Sequence, residues 1–142
     1  MRIYEATEPS DLLAEAFARL LPQLSERMTA PDREAVARIV ASPATRQLVA
    51  AAEDGRIVGL LSVALYDVPS GRKAWIEDVV VDAAARGRGI GEALVREALA
   101  LARREGVARV MLTSNATRRA GHRLYERMGF VRYETDCFRL DL

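Results

Sequence analysis

The chain has 142 residues and a mass of 15.7 kDa, which suits one domain spanning residues 1–142 and leaves no room for two. Half of its residues are hydrophobic, which excludes a disordered or fibrous chain. The 21 lysines and arginines nearly balance the 20 aspartates and glutamates, which argues against a general binder of nucleic acid or membrane surfaces. The one cysteine, Cys137, cannot form an intramolecular disulfide, and neither a signal peptide nor a membrane-length apolar run is visible. We therefore expect a soluble, cytoplasmic protein.

The first half of the chain predicts one edge strand and two helices. Residues 2–7 alternate between polar and apolar types, which favours a strand. Residues 9–11 begin a helix with one apolar face, and residues 29–32 open a second helix that is stopped by residues 42–43. The segment between the two helices, residues 22–30, is the least constrained part of this half.

The middle of the chain predicts three antiparallel strands. Residues 47–53 and 56–66 are strand-like, and the Asp-Gly pair between them is a strong signal for a two-residue hairpin turn. After a turn at residues 69–71, residues 73–81 predict a third long strand.

The last third alternates helices and strands. A glycine-rich loop leads into a helix that ends near Arg104, residues 107–113 predict a strand, residues 117–128 a helix, and residues 130–142 one or two closing strands. The order β-αα-βββ-α-β-α-ββ predicts an α/β (α+β) fold. We expect a mixed, mostly antiparallel, twisted sheet of about six to seven strands flanked by four helices.

Positive charge is concentrated around the glycine-rich loop. Residues 86–132 carry 11 arginines and 4 glutamates, whereas residues 1–85 carry 9 basic and 13 acidic side chains. A basic segment in a nearly neutral chain indicates a localised anion site rather than a track for a long polyanion. An arginine-rich helix face exposed to solvent is the alternative.

The loop itself has the chemistry of a phosphate or pyrophosphate cradle. Its residues are Arg86, Gly87, Arg88, Gly89, Ile90 and Gly91. Glycines let the backbone approach a ligand closely, and the following helix start presents unpaired N–H groups with a partial positive charge. The spacing G-x-G-x-G departs from the dinucleotide-binding G-x-G-x-x-G, and the absence of G-x-x-x-x-G-K-[ST] excludes a Walker-type nucleotide hydrolase. A glycine-rich turn with incidental arginines is the alternative.

Two motifs in the second half form a specific pair. Residues 76–82, IEDVVVD, run toward the loop, where Arg86, Gly89 and Gly91 fill the pattern [RQ]-x-x-G-x-[GA]. One predicted strand later, residues 124–130, LYERMGF, fill L-Y-x-x-x-G-F. In this order and at this spacing, the motifs resemble the acyl-CoA motif and the second signature of the GNAT acetyltransferase superfamily. The resemblance covers residues 74–142 well, whereas residues 1–50 match only in the order of elements.

The resemblance implies a GNAT-like fold with acetyl-CoA as cosubstrate and no metal. Acetyl-CoA would lie in a V-shaped gap between the strand that holds Val79, Val80 and Val81 and the strand that ends near Thr113. The pantetheine arm would pair with the backbone of these valines like an added strand, and the pyrophosphate would bind the amides of the glycine-rich loop. A backbone N–H at Val79 or Val80 would polarise the thioester carbonyl. A plain buried strand is compatible with this role, because only the backbone would bind.

The resemblance also implies two catalytic residues. Tyr125 would be the general acid that protonates the departing CoA thiolate, although its ring could instead only pack against the sheet. Glu77 is the candidate general base, acting directly or through a water chain, because an attacking alkyl amine must lose a proton. An edge or ion-paired carboxylate is the alternative for Glu77. The family commonly has a bulge in this strand, which would change the face to which Glu77 and Asp78 point.

Four residues near the second motif are further candidates. Asn115 would either hydrogen-bond the pantetheine or cap the next helix. Arg118, with Arg119, would pair with the 3′-phosphate of CoA or face solvent. Gly121, where the family more often has alanine, would admit the cofactor close to the helix.

The resulting hypothesis is an N-acetyltransferase that moves the acetyl group of acetyl-CoA to a primary amine by direct attack in a ternary complex. A non-catalytic acyl-CoA-binding or sensing module is the alternative, and it would need neither Tyr125 nor Glu77. The acceptor is a small-molecule amine or a protein amine, in a pocket that Trp75, Tyr66 and residues 22–30 would wall. We expect no nucleic-acid or membrane partner, and a homodimer is common among relatives.

Overall fold

The computed structural model describes all 142 residues and contains five strands and four helices. The elements in chain order are β1 (Arg2–Ala6), α1 (Asp11–Leu24), α2 (Arg33–Ala41), β2 (Thr45–Ala51), β3 (Ile57–Val68), β4 (Gly71–Val81), a single 3₁₀ turn (Ala83–Ala85), α3 (Ile90–Arg104), β5 (Val110–Met111) and α4 (Arg119–Arg127). None of the helices combines the length and the apolar character that crossing a membrane requires.

Local capping explains where the first two helices begin. The Ser10 side chain accepts a hydrogen bond from the Leu13 N–H, and Asp32 does the same for the Ala35 N–H at the start of α2. Each bond satisfies a backbone donor that the first turn of a helix leaves unpaired. Both helices therefore start where their sequence signals predict.

The strands form one sheet in the order β1-β2-β3-β4-β5. The first four strands are antiparallel, and β4 and β5 are parallel because α3 crosses between them. The predicted mixed, mostly antiparallel sheet with four flanking helices is confirmed.

Alternation along the strands separates two cores. Val49, Leu60 and Val80 pack with α1 and α2 on one face. Leu48, Leu61 and other residues of opposite parity pack with α3 on the other face, where α4 also contributes Leu124. The sheet therefore lies between two separate layers of helices.

A bulge interrupts β4 in front of its last residues. Leu60 pairs with Val80 and Ser62 pairs with Glu77, so β4 advances three residues while β3 advances two. Asp78 sits in this extra step with φ +50°, in the left-handed region. Because of the bulge, Glu77 and Val80 point to the same face of the sheet.

The prediction of six to seven strands is wrong, because the sheet has five. The strand predicted at residues 107–113 contracts to Val110–Met111, and residues 130–142 form no strand. Within residues 131–142 the backbone makes one hydrogen bond, from the Thr135 N–H to the Tyr133 carbonyl (2.9 Å). The alternating apolar side chains Phe138, Leu140 and Leu142 are exposed. Alternation favours a strand only when a partner strand supplies hydrogen bonds, and none does here.

Candidate functional site

The strands β4 and β5 separate soon after they meet. They pair only at Ala74 with Val110 and at Trp75 with Met111. From Ile76 to Val81, β4 continues without a strand on that side, so one edge of its backbone is open. This is the gap that the family resemblance implies, and it runs toward the glycine-rich loop.

The side chains of Val79, Val80 and Val81 pack into the two cores, whereas their backbone lines the gap between β4 and β5. Val80 is buried in the core under α1 and α2. Val79 and Val81 are half-buried and pack against the α3 core on the opposite face. The buried-strand interpretation and the binding interpretation are thus compatible for these residues.

The glycine-rich loop presents backbone donors and unpaired positive charge. Gly87 and Gly89 have φ of +78° and +76°, and Gly89 is the N-cap of α3 without any side-chain capping bond. Arg86 donates from Nε to the Val81 carbonyl oxygen at 3.1 Å. Arg86 and Arg88 are exposed and neither has an acidic partner. An anion at the start of α3 would therefore meet free N–H groups and two uncompensated guanidinium groups.

Close packing around two glycines brings α4 against this region. A Cβ at Gly91 would lie 3.3 Å from Leu124 Cδ2 and 3.7 Å from Val81 Cγ2. A Cβ at Gly121 would lie 3.6 Å from Tyr125 Cε2 and 3.9 Å from Ser114 Oγ. The start of α3 therefore packs closely against both β4 and α4 at Gly91, and Gly121 lies next to the ring of Tyr125.

Tyr125 is half-buried on α4 and its ring meets Phe130 edge-on, with the ring centroids 5.8 Å apart. Burial raises the pKa of the Tyr125 phenol, and the nearby charge of Arg118 offsets this only in part. The phenol consequently keeps its proton well into the alkaline range.

Glu77 lies at the surface of the α1 and α2 face, opposite Ser62 of β3. Partial loss of hydration raises the pKa of its carboxyl group, and the neighbouring Asp78 carboxylate raises it further. No lysine or arginine forms an ion pair with Glu77, so the ion-paired alternative for this residue is not what the structure contains. A carboxylate with a raised pKa is a stronger base than an ordinary one.

Asn115 and Arg118 shape the turn before α4. Asn115 Oδ1 accepts hydrogen bonds from the Thr117 N–H (2.9 Å) and from Thr117 Oγ1 (2.8 Å). The Asn115 carbonyl oxygen lies 3.0 Å from His122 Nε2. The guanidinium of Arg118 donates to the Leu24 carbonyl oxygen at the end of α1. The Asn115 contacts are local to the turn and α4, whereas the Arg118 contact ties the start of α4 to the end of α1.

Asp82, which follows β4, has a structural role that the motif containing it does not indicate. It is only 7% exposed, and its carboxylate forms an ion pair with Arg19 of α1 at 2.8 Å. The Ala84 N–H, the Gln23 side chain and Arg19 together hold the pKa of Asp82 below its usual value. The sequence feature that could have indicated this ion pair is Arg19, a charged residue between the buried Phe17 and Leu20 of α1.

Comparisons with known proteins agree with this geometry. A model of the acetyltransferase (GNAT) family matches residues 8–130. The chain is 35% identical over 127 residues to glucosamine 6-phosphate N-acetyltransferase 1 of Oryza sativa subsp. japonica, covering 84% of this chain and 75% of that protein. It is 36% identical over 89 residues to the mycothiol acetyltransferase of Thermomonospora curvata, covering 63% of this chain and 29% of that protein.

A solved structure matches the whole chain. The crystal structure of a Trypanosoma brucei acetyltransferase superposes with a TM-score of 0.80 at 30% identity, and the match covers 99% of both chains. The similarity therefore extends to residues 1–50, where the sequence motifs say least.

Proposed function

The chain belongs to the acetyltransferase (GNAT) family, and from this premise we propose that it transfers the acetyl group of acetyl-CoA to a primary amine. The observation that carries the proposal is the parting of β4 from β5 beside the uncapped start of α3. An open strand edge and a cluster of free N–H groups adjoin each other there, which suits a ligand with an amide-containing arm and a pyrophosphate.

The residues around the gap fit acetyl-CoA in charge and in hydrogen bonding. The backbone of Val79, Val80 and Val81 would pair with the pantetheine amides, as an added strand does. The amides of residues 87–91 would bind the pyrophosphate, with Arg86 and Arg88 neutralising its charge. When bound, acetyl-CoA supplies an activated acyl group in the form of a thioester.

Two proton transfers follow from the chemistry of amide formation. Glu77 takes a proton from the attacking nitrogen, directly or through water, and its raised pKa makes it the stronger base. A backbone N–H at Val79 or Val80 stabilises the negative charge that develops on the carbonyl oxygen. Tyr125 gives its proton to the leaving sulfur as the C–S bond breaks, and its raised pKa keeps it protonated until then.

A small-molecule amine is the acceptor class that the relatives favour. One relative is named a glucosamine 6-phosphate N-acetyltransferase and another a mycothiol acetyltransferase, so both names contain a small molecule rather than a protein. A protein amine is the alternative that the experiment below distinguishes. A homodimer, which is common among relatives, stays an untested hypothesis that light scattering would measure.

Calorimetric titration with acetyl-CoA, followed by CoA release with a panel of amines, tests the proposal. We expect saturable binding that is lost in the double variant Arg86→Ala/Arg88→Ala. The matched control, Arg103→Ala/Arg127→Ala, removes two other exposed arginines that have no acidic partner and should bind normally. Binding without turnover on small amines or on peptides with a free amino group would support the sensing module. Absence of binding would refute the proposal.

A further inference from the structure

We propose that Ser62 binds the acceptor amine beside Glu77, and that the buried Gln47 positions Ser62 for this task. The inference rests on the proposed function and deepens it, because it assigns a second residue to the recognition of the amine. Gln47, Ser62 and Glu77 lie on three adjacent strands and are paired in register. They share the face that α1 and α2 cover, since Val49 and Leu60 lie two residues away on the same strands.

The orientation of the Gln47 amide follows from its neighbours. Gln47 is 3% exposed, and its Nε2 lies 3.2 Å from the Leu48 carbonyl oxygen and 3.3 Å from the Leu61 carbonyl oxygen. Only the NH₂ end of an amide can donate to carbonyl oxygens, so Oε1 must be the end that faces Ser62. The amide is locked in this orientation by two backbone acceptors.

This orientation decides what Ser62 can do. Ser62 Oγ lies 2.7 Å from Gln47 Oε1. An amide oxygen carries no hydrogen, so the hydroxyl of Ser62 must donate its only proton to Gln47. The lone pairs of Ser62 that remain can only accept, which makes this serine a fixed acceptor.

Glu77 completes a pair of acceptors. Residues directly opposite on antiparallel strands have Cβ atoms about 4.5–5.5 Å apart, so the side chains of Ser62 and Glu77 are neighbours. An ionised carboxylate is also an acceptor only, and no cationic side chain is paired with it. A ligand that binds both acceptors at once must supply one hydrogen-bond donor to each.

A neutral primary amine meets this requirement and leaves its lone pair free. One N–H donates to Ser62 Oγ, the other donates to Glu77, and the lone pair remains for attack on the thioester. In the neutral form that attacks the thioester, a secondary N-methyl amine has a single N–H, and an alcohol has a single O–H, so neither can donate to both acceptors. The site therefore selects primary amines over N-methyl amines and over hydroxyl acceptors.

The test compares Ser62→Ala and Ser62→Thr with the control Ser70→Ala, which removes an exposed hydroxyl from the turn before β4. Steady-state kinetics would use the best primary amine of the panel and its N-methyl analogue. We expect Ser62→Ala to raise the KM for the primary amine about tenfold, as the loss of one hydrogen bond to an amine predicts. The affinity for acetyl-CoA should not change, the preference for the primary amine should fall, and Ser62→Thr should restore both properties. An unchanged KM, or equal losses with the two amines, would overturn the proposal.

A second measurement does not depend on turnover. Titration with ethylamine, followed through the backbone amide NMR signals of Ser62 and Glu77, should saturate in the native protein and not in Ser62→Ala. Absence of saturation in the native protein would refute the amine site. If ethylamine binds but no amine is acetylated, the proposed function fails while the amine site stands.

Discussion

Arg19 of α1 and Asp82 at the end of β4 form an ion pair of 2.8 Å in a largely buried position. Arg19 also donates to the Ile57 carbonyl oxygen at 2.7 Å and to Glu15, so its guanidinium joins α1 to the start of β3 and to the end of β4. The pair thus fixes α1 to the residue from which the 3₁₀ turn and the glycine-rich loop depart.

Replacement of Asp82 by asparagine should destabilise the protein by about 2 kcal/mol, because it leaves the partly buried Arg19 with only the more exposed Glu15 as a counter-charge. Urea unfolding at pH 7 measures this loss. The control Asp67→Asn removes a carboxylate that is exposed and lies 3.4 Å from Arg72, and it should cost less than about 1 kcal/mol. Equal losses in the two variants would show that the buried position of Asp82 is irrelevant.

The stabilisation from Asp82 should also depend on pH. Its folded-state pKa is lowered by the Ala84 N–H, then by Gln23 and Arg19, so the folded protein binds fewer protons than the unfolded chain in the acid range. The contribution is complete above the unfolded pKa of about 3.9 and is lost as the pH falls through the lower folded value. The difference in unfolding free energy between the native protein and Asp82→Asn should therefore shrink below pH 4. A constant difference down to pH 2 would contradict this origin of the stabilisation.

Signals that act over a few residues predicted much of the fold. Ser10 and Asp32 mark helix starts, because each side chain accepts a hydrogen bond from the backbone N–H three residues later. The glycine-rich loop lies between a strand and a helix, as its sequence predicts. Features set by distant partners were not predictable in the same way. Arg19 and Asp82 are 63 residues apart in sequence, and Ser62 and Gln47 are 15 apart. The prediction of closing strands at residues 130–142 is wrong for the same reason. The alternating pattern of these residues does not indicate whether another strand pairs with them.

Gly89 and Gly106 offer a matched test of the anion loop. Both have left-handed φ, +76° and +74°, and neither would bring a Cβ within 4 Å of another group. Alanine at either position should cost about 1–2 kcal/mol of stability through backbone strain alone. Only Gly89 is the N-cap of α3, so only Gly89→Ala should shift the free N–H groups and weaken acetyl-CoA binding, by about tenfold. Urea unfolding and calorimetry measure the two effects, and equal affinities in the two variants would place the pyrophosphate elsewhere.

Tyr125→Phe should lower kcat about 100-fold, since the general acid is lost while the ring remains. The edge-on contact with Phe130 needs only the ring, so stability and acetyl-CoA affinity should be preserved. The raised pKa of Tyr125 also predicts that activity in the native protein persists to higher pH than an ordinary tyrosine would allow, before the phenol ionises. Tyr133→Phe, which removes an exposed hydroxyl, is the control and should leave kcat unchanged. A Tyr125→Phe variant with native kcat would leave Tyr125 with a packing role alone.

Substitutions of Glu77 and Asp78 should produce different changes in the pH profile of the reaction. Burial and the charge of Asp78 raise the pKa of Glu77 above the usual value of a glutamate, so activity should fall on the acid side as this base is protonated. Glu77→Gln should lower kcat/KM about 100-fold and abolish that acid limb. Asp78→Asn keeps a side chain that tolerates the left-handed φ of +50° and removes only the repelling charge, so the acid limb should move to lower pH with little loss of rate at neutral pH. Profiles of kcat/KM between pH 4 and 9 measure both effects. An acid limb that stays in place in Asp78→Asn, or persists in Glu77→Gln, would assign the base to another group.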